Sequence, residues 1–299
     1  MSDGWRGIFP IVVTPFTASG ELDEASLRCQ VHFCLEAGAA GLTGPANASE
    51  FTTLSDEERR RWLQIVTGEV AGAVPVIASV TCGHLRPAAD LARFAVDCGA
   101  DAIMSMPPPI LPLDEVACAA YYRDLATAVD APLVIQNHSA PLGTPLSAAA
   151  LGRLCAEVAS VQYIKEEVAP EPRRISAALA AAGEHCRGVF GGQGAIYLID
   201  EHRRGAAGNM PGSQLTDVLV DVWNLLEVGS VDEARSLFDL LLPMMSYERL
   251  YGVAVYKEVL RRRGVIDCAL RRAPGGGLGG EDLVEIDGAL ARLEPVLRL

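Results

Sequence analysis

Short apolar runs alternate with helical patterns along most of the chain. Eight such runs begin near Ile8, Gly41, Pro75, Ala102, Pro132, Val161, Gly188 and Ala206. The segments between them have helical periodicity, and Ser55, directly before the acidic turn of DEERRR, is a typical N-cap. Parallel strands joined by helical crossovers at this pitch predict an α/β fold, a (β/α)₈ TIM barrel.

After the eighth run the pattern becomes helical only. Periodic segments predict helices at 215–228, 231–241, 248–263 and 281–293. The glycine-rich segment APGGGLGGED before the last helix neither follows a strand nor carries the lysine and hydroxyl of a phosphate loop, so it indicates a connector. We therefore expect a barrel over residues 1–228 and a C-terminal helical extension over residues 229–299.

The composition disfavours nucleic acid and membrane partners. The 299 residues carry a formal net charge of −13 and a pI near 4.9, so the surface repels phosphate backbones and anionic lipid. No apolar run is long enough to span a bilayer, and the N-terminal MSDGWRG lacks a basic region followed by an apolar stretch. These features predict a cytoplasmic protein that binds neither nucleic acid nor membranes.

Cysteine and histidine show no metal-ligand spacing. The eight cysteines are scattered through mostly apolar helical segments without a CxxC pair, and the five histidines are equally dispersed. We expect buried thiols rather than disulfides, and no metal site. His138 alone, directly after a predicted strand, occupies a position where a pocket is expected.

Lysine is nearly absent, since the sequence has two lysines and 23 arginines. Lys165 ends the apolar run of VQYIKEE, at the carboxyl end of the sixth predicted strand, where barrels of this kind build their active sites. A desolvated amine can attack a carbonyl, which a guanidinium cannot. Lys165 is therefore a candidate nucleophile, although general replacement of lysine by arginine would also leave it by chance. Lys257, on an amphipathic helix, is expected to be an ordinary solvated residue.

Five motifs together resemble one known family. They are IVVTPF in the first strand, SEFTTLSDEER after the second, YIKEE in the sixth, VFGGQ in the seventh and GAAGNMPG in the eighth. Their order and spacing resemble the dihydrodipicolinate synthase / N-acetylneuraminate lyase family of class I Schiff-base aldolases and dehydratases. The resemblance covers essentially the whole chain, and it implies a homotetramer with a (β/α)₈ barrel and a C-terminal helical region. It also implies that Lys165 forms a Schiff base with a 2-keto acid, with no other cofactor.

Departures from the family pattern select one branch. Synthases and sialic acid lyases have a relay tyrosine in a YN dipeptide at the end of the fifth strand, where this chain has Gln136 followed by asparagine. The resemblance is closer to the 2-keto-3-deoxy-L-arabonate dehydratase branch, which implies that Glu167 carries the proton while Gln136 hydrogen-bonds the substrate or a water. Strand alternation also puts residues 165 and 167 on one face, although Glu166 remains an alternative to Glu167.

The same resemblance implies the substrate-binding residues. In GPANASEF, relatives bind the substrate carboxylate with backbone amides and two hydroxyls, and the hydroxyl positions here are Asn47 and Ala48; Ser49 or Asn47 can add a donor. A simple turn before a helix is the alternative. In the seventh and eighth strands, Gln193 is expected to contact the sugar-like tail, and Asn209 and Met210 to line the pocket, unless they bridge loops or fill the core.

These residues predict a Schiff-base lyase that acts on a 2-keto-3-deoxy sugar acid. The leading hypothesis is dehydration of 2-keto-3-deoxy-L-arabonate or a close analogue to 2-oxoglutarate semialdehyde. One alternative is a class I pyruvate-dependent aldolase that uses the same lysine. A more distant alternative is a non-catalytic keto-acid-binding protein, which binds the ligand without making product.

Overall fold

The predicted apolar runs all form strands in a computed structural model, which describes residues 4–109, 113–139 and 141–299. The first three residues of the N-terminal segment considered above lie outside the described residues. The strands are β1 (Gly7–Ile8), β2 (Leu42–Gly44), β3 (Val76–Ser79), β4 (Ala102–Ser105), β5 (Leu133–His138), β6 (Val161–Glu167), β7 (Gly188–Gly191) and β8 (Gly208–Asn209). They form one sheet in the order β1-β8-β7-β6-β5-β4-β3-β2. The predicted (β/α)₈ barrel with C-terminal helices is therefore confirmed.

The first strand is shorter than its apolar run predicted. Only Gly7–Ile8 forms a ladder, because Pro10 and Pro15 lack the backbone N–H that a ladder requires. Farther along the run, Ile11 makes isolated parallel bridges with Thr43 and Gly212. The run thus stays extended and buried without being a regular strand.

The helices follow the predicted alternation. They are α1 (Glu24–Glu36), α2 (Asp56–Val70), α3 (Leu85–Asp97), α4 (Glu115–Ala126), α5 (Ala148–Glu157), α6 (Glu171–Ala182), α7 (Leu198–Arg203), α8 (Thr216–Glu227), α9 (Val231–Tyr251), α10 (Val253–Arg262) and α11 (Gly280–Leu293). Ser55 caps α2 as predicted: its hydroxyl accepts from the Glu58 amide at 3.1 Å, and the Glu58 carboxylate accepts from the Ser55 amide at 2.9 Å.

The predicted break between residues 241 and 248 is wrong. Helix α9 runs through Pro243, whose missing N–H costs one helical hydrogen bond. The helix continues because Leu241, Met244 and Met245 on both sides of the proline are buried, and their burial outweighs that cost. It ends at Gly252, where a φ of 53° is easy for glycine.

The described residues divide into two compact units, each built from separated segments. The first unit comprises the residues up to Gly7 and Pro75–Met210, and the second comprises Ile8–Val74 and Pro211–Leu299. The predicted boundary at residue 228, between the barrel and the C-terminal helical extension, stays a prediction. Among the described residues, no helix has both the length and the apolar character that crossing a bilayer requires.

The first unit contains the parallel ladder from β3 to β8. In the register of β5 and β6, Gln136 pairs with Lys165 and His138 with Glu167. On the other side, β6 pairs with β7, and Gly191 of β7 pairs with Asn209 of β8. The carboxyl ends of β5 to β8 therefore bring together side chains from four strands within this unit.

The second unit packs α1, α2 and α8–α11 around a buried polar centre and an apolar core. Gln30 of α1 accepts from the Val13 amide at 2.7 Å and from the Ser213 hydroxyl at 2.8 Å. Trp62, Phe9 and other large apolar side chains fill the surrounding core. The hydrogen bonds of Gln30 thus connect the two chain segments from which this unit is built.

Candidate active site

Lys165 lies near the carboxyl end of β6 in a buried position. Its side chain is 4% exposed, and its Nζ lies 3.1 Å from Oε2 of Glu167. The two side chains share a face because side chains alternate along a strand. The structure therefore brings together an amine and a carboxylate in a desolvated setting, which suits nucleophilic attack on a carbonyl.

Gln136 on β5 completes this cluster. Its Nε2 donates to Oε2 of Glu167 at 2.8 Å, so the same carboxylate oxygen contacts both Lys165 and Gln136. The Gln136 Oε1 is buried and has no hydrogen-bond partner among the described residues. Since an unsatisfied buried oxygen is unfavourable, this atom is suited to accept a hydrogen bond from a substrate or a water.

The charge state of Glu167 follows from its neighbours. Burial acts to raise its pKa, but the positive charge of Lys165, the nearby His138 and the hydrogen bond from Gln136 outweigh burial and lower it. The carboxyl group is therefore ionised at neutral pH. An ionised carboxylate beside an amine can accept protons, as a general base must.

Glu166 makes its polar contacts with residues other than Lys165. Its carboxylate accepts from Nδ2 of Asn137 and from the Val168 amide at 2.8 and 2.9 Å, and it lies 3.4 Å from Nε of Arg174. Burial raises its pKa, against the effect of Asn137 and Arg174. Of the two adjacent glutamates, Glu167 is thus the one that contacts Lys165.

Gly192 and Gln193, after β7, enclose Glu167. A Cβ at position 192 would lie 2.4 Å from Oε1 of Glu167, so the glycine leaves room for the carboxylate. Gln193 Nε2 donates to the backbone oxygen of Glu167 at 3.2 Å, and its amide N–H lies 3.5 Å from Oε1. The structure places Gln193 against Glu167, while its contact with a substrate stays a prediction.

Asn209 and Met210 are buried at the end of β8. Asn209 Nδ2 donates to Oε2 of Glu201 at 2.8 Å and to the Gly192 oxygen at 3.2 Å. The Met210 amide donates to the Gly191 oxygen at 3.0 Å. Sequence reasoning missed Glu201, because nothing in the pattern LIDEHRR distinguishes this fully buried acid from its exposed neighbours.

The predicted carboxylate-binding turn lies in the second unit. Asn47–Ser49 is a short 3₁₀ turn whose first internal bond runs from the Ser49 amide to the Ala46 oxygen at 2.9 Å. The Ser49 hydroxyl donates to the Val12 oxygen at 2.6 Å, so its proton is already used. The amides of Asn47 and Ala48 precede the first internal bond, as expected for donors left to an anion.

The prediction that Lys257 is solvated is wrong. Its side chain is fully buried, and Nζ donates to Glu50 at 2.5 Å and to the Leu270 oxygen at 2.8 Å. The Phe16 ring centroid lies 4.2 Å from the same nitrogen. The helical pattern of AVYKEVLRRR could not reveal this because Glu50 lies 207 residues away in the sequence.

The structure also shows the environment of each cysteine and whether side chains that could bind a metal lie together. The cysteines are free; Cys34, Cys82, Cys118 and Cys155 are buried as predicted, Cys29 is exposed, and Cys98, Cys186 and Cys268 are half-buried. Within the described ranges, no three histidine, cysteine, aspartate or glutamate side chains are grouped closely enough to hold a metal ion.

Comparison with known protein families assigns nearly the whole chain to one of them. The profile of the dihydrodipicolinate synthetase family matches residues 4–291. The chain belongs to this family. Members of the dihydrodipicolinate synthetase family are lyases, and the Lys165 motif lies inside the matched region.

Individual relatives show how the chain fits within the family. It is 32% identical over 98% of its length to the L-2-keto-3-deoxyarabonate dehydratase of Azospirillum brasilense, of which it covers 96%. It is 34% identical to the 4-hydroxy-tetrahydrodipicolinate synthase of Methanopyrus kandleri, but only over 54% of each chain. The crystal structure of dihydrodipicolinate synthase from Rhodopseudomonas palustris is 30% identical, with a TM-score of 0.89 over 96% of this chain and 97% of that one.

Proposed function

We propose that the protein is a Schiff-base dehydratase that converts 2-keto-3-deoxy-L-arabonate, or a close analogue, to 2-oxoglutarate semialdehyde and water. The observation that carries the proposal is the Glu167 carboxylate, which lies 3.1 Å from the Lys165 amine and 2.8 Å from the Gln136 amide. The similarity to the Azospirillum dehydratase over 98% of the chain supports the choice of substrate.

The first step joins the substrate to Lys165. Glu167 takes up the proton that the ammonium group must lose before the amine attacks the C2 carbonyl. Glu167 returns this proton to the hydroxyl formed at C2, which leaves as water and gives an iminium. The iminium draws electrons from C3 and makes the C3 protons acidic, and Glu167 is again a carboxylate. The iminium supplies the electrophile, so the reaction requires no other cofactor.

The second step removes water from C3 and C4. Glu167 accepts a C3 proton, the electrons of the enamine expel the C4 hydroxyl, and a proton from Glu167 leaves with it. A proton moves from C5 to C3, which shifts the double bond to C4–C5, and the resulting enol becomes the C5 aldehyde. Hydrolysis of the iminium consumes the water released in the first step, so the net change is the loss of one water.

The other predicted residues are assigned to binding. The resemblance to the family supports a role for the Asn47 and Ala48 amides with the substrate carboxylate, because these amides precede the first internal bond of their turn. The unpartnered Gln136 Oε1 accepts a hydrogen bond from the substrate or from a water. Gln193 contacts the hydroxyl-bearing tail, and Asn209 and Met210 line the same pocket.

Borohydride trapping followed by mass spectrometry tests the proposal. Borohydride reduces an iminium to a stable amine, and with only two lysines in the chain, the labelled peptide identifies the attacking residue. After incubation with 2-keto-3-deoxy-L-arabonate, we expect an adduct on Lys165 with the mass of the reduced substrate or of its dehydrated form. Free 2-oxoglutarate semialdehyde should accumulate in the unreduced reaction.

Each other outcome has a definite meaning. A pyruvate-sized adduct on Lys165 would indicate the aldolase alternative, in which the C3–C4 bond breaks. An adduct without released product would indicate a keto-acid-binding protein. Absence of an adduct on Lys165 with both this substrate and pyruvate would overturn the Schiff-base mechanism itself.

The family also supports a quaternary structure. We infer that the chain assembles as a homotetramer, as the family resemblance implies. Sedimentation velocity at several protein concentrations measures the mass directly. A single species at the mass of one 31.7 kDa chain would contradict the inference.

A further inference from the structure

Glu201 of α7 is a buried acid that the proposed mechanism does not use. Its side chain is fully buried, and its Oε2 lies 2.8 Å from Nδ2 of Asn209. No cation lies within ion-pair distance of it among the described residues. A buried carboxyl group without a cation is unusual, so the burial of Glu201 calls for a physical reason.

Two consecutive glycines make room for two carboxyl groups. A Cβ at Gly191 would lie 2.1 Å from Oε2 of Glu201 and 2.6 Å from Nδ2 of Asn209. A Cβ at Gly192 would meet Glu167 in the same way, at 2.4 Å. The end of β7 therefore accommodates Glu167 on one side and the Glu201–Asn209 pair on the other.

The environment keeps Glu201 neutral. Burial raises its pKa to about 8; the hydrogen bond from Asn209 opposes this, and the negative charges of Glu171, Glu167 and Asp200 raise it further. A neutral carboxyl group still accepts a hydrogen bond through its oxygen. Glu201 can thus hold Asn209 without adding a charge beside Glu167.

The orientation of the Asn209 amide is fixed by these contacts. Its Nδ2 donates both to Glu201 and to the Gly192 oxygen, at 2.8 and 3.2 Å. Its Oδ1 is buried and has no hydrogen-bond partner among the described residues. The Oδ1 atom of Asn209 is therefore an unsatisfied acceptor, and a donor such as a hydroxyl group would satisfy it.

We propose that Glu201 is a positioning residue which, by holding Nδ2 of Asn209, leaves Oδ1 of Asn209 to accept a hydrogen bond from a hydroxyl on the tail of the substrate. This inference rests on the proposed function. According to this inference, the Glu201–Asn209 pair makes the protein bind hydroxylated 2-keto acids more tightly than pyruvate. Pyruvate has no hydroxyl beyond its keto group. Glu201 itself touches no reacting atom.

The test compares two ligands across three single variants and one double variant. The measured quantity is the half-saturation concentration, the ligand concentration at which borohydride traps half of the maximal adduct on Lys165. It is determined for 2-keto-3-deoxy-L-arabonate and for pyruvate, in the wild type and in Glu201→Met, Glu201→Gln and Asn209→Ala. We expect Glu201→Met to raise the half-saturation concentration about tenfold for the hydroxylated ligand, the typical effect of one lost hydrogen bond. The value for pyruvate should change by less than about twofold.

The other variants separate positioning from general packing. Glu201→Gln keeps a neutral acceptor of the same shape, so its values should stay within about threefold of the wild type for both ligands. The double variant Glu201→Met/Asn209→Ala should be no worse than Asn209→Ala alone, because the glutamate acts through the asparagine. If Glu201→Met fails to fold, Glu201→Gln and Asn209→Ala still test the same hydrogen bonds.

Three results would overturn the inference. They are equal half-saturation for the two ligands in the wild type, equal weakening of both ligands in Asn209→Ala, and full additivity in the double variant. The proposed function fails by a separate criterion, the mass of the adduct and the identity of the released product. A protein that prefers the hydroxylated ligand yet releases no semialdehyde would therefore reject dehydration and retain the role of Glu201.

Discussion

The two lysines of this chain each lie beside a buried glutamate, in different units of the molecule. In the first unit, Lys165 lies 3.1 Å from Glu167, and the side chains are 4% and 8% exposed. In the second, Lys257 lies 2.5 Å from Glu50, and the side chains are 0% and 1% exposed. Burial and an ion pair alone therefore do not distinguish a candidate nucleophile from a structural residue.

The surroundings of the two pairs differ in how completely they are satisfied. Glu50 also accepts from the backbone amides of Arg272 and Ala273, at 3.0 and 2.7 Å, and Lys257 also donates to a backbone oxygen and contacts an aromatic ring. Lys165 has three donors, and Glu167 is its one partner among the described residues. Protein groups surround and hydrogen-bond the Lys257–Glu50 pair, whereas the Lys165 amine has donors left over that a ligand can use.

Replacing each lysine by methionine should separate the two roles most sharply. Lys165→Met removes the nucleophile, so we expect turnover to fall about 10⁴-fold or more and the borohydride adduct to disappear. Lys257→Met is the matched control, and its folded fraction should still form the adduct on Lys165. Robust turnover by Lys165→Met would be incompatible with the mechanism.

The glutamate beside the nucleophile should matter more for turnover than for the amount of adduct trapped, because trapping after long incubation needs only that the Schiff base forms, whereas every turnover also needs the base at C3. Glu167→Gln keeps the shape but removes the base, so kcat should fall about 10²–10⁴-fold while pyruvate is still trapped on Lys165. Glu166→Gln is the control, since Glu166 is bonded to Asn137 and close to Arg174. Rapid-quench kinetics measure the step; an equal loss of kcat in the two variants would assign no special role to Glu167.

The pair at Lys257 should matter for stability. Lys257→Met leaves the Glu50 carboxylate buried without its cation, which typically costs about 3–5 kcal/mol of unfolding free energy. The double variant Lys257→Met/Glu50→Gln removes both charges and should recover most of this loss. Urea unfolding measures both values, and a loss below about 1 kcal/mol in the single variant would show that the pair is dispensable.

The sequence could predict the strands and a shared face within one of them. Alternation along β6 placed residues 165 and 167 on one face, and the run of apolar segments predicted the order of the strands. Pattern alone could not predict pairs distant in sequence. Glu50 and Lys257 are 207 residues apart, and only the folded chain shows that the lysine faces inward.

Local signals also failed where packing outweighs them. The periodicity predicted a helix that ends at residue 241, but buried side chains on both sides of Pro243 hold one continuous helix together. Glu201 carried no signal, because its burial depends on the two glycines at 191 and 192 and on Asn209, which come from other elements. The backbone pattern was thus more predictable than the polar contacts that give the candidate site its chemistry.

The smallest expected effect is a pH dependence that belongs to Lys257. Burial lowers its pKa to about 8 from an ordinary value of 10.5, although the Glu50 carboxylate works in the opposite direction. Between these two pH values the unfolded chain holds a proton that the folded protein has released, so stability rises with pH. The gain is at most about 1.4 kcal/mol per pH unit.

Lys257→Met cannot titrate at this position, and every other titrating group is common to both proteins. The difference in unfolding free energy between wild type and variant should therefore widen from pH 8 to 10.5 and stay constant below pH 8. Urea unfolding at half-unit pH steps measures it. Parallel curves over the whole range would mean that Lys257 keeps its proton in the folded protein, and that its carboxylate partner outweighs the cost of burial.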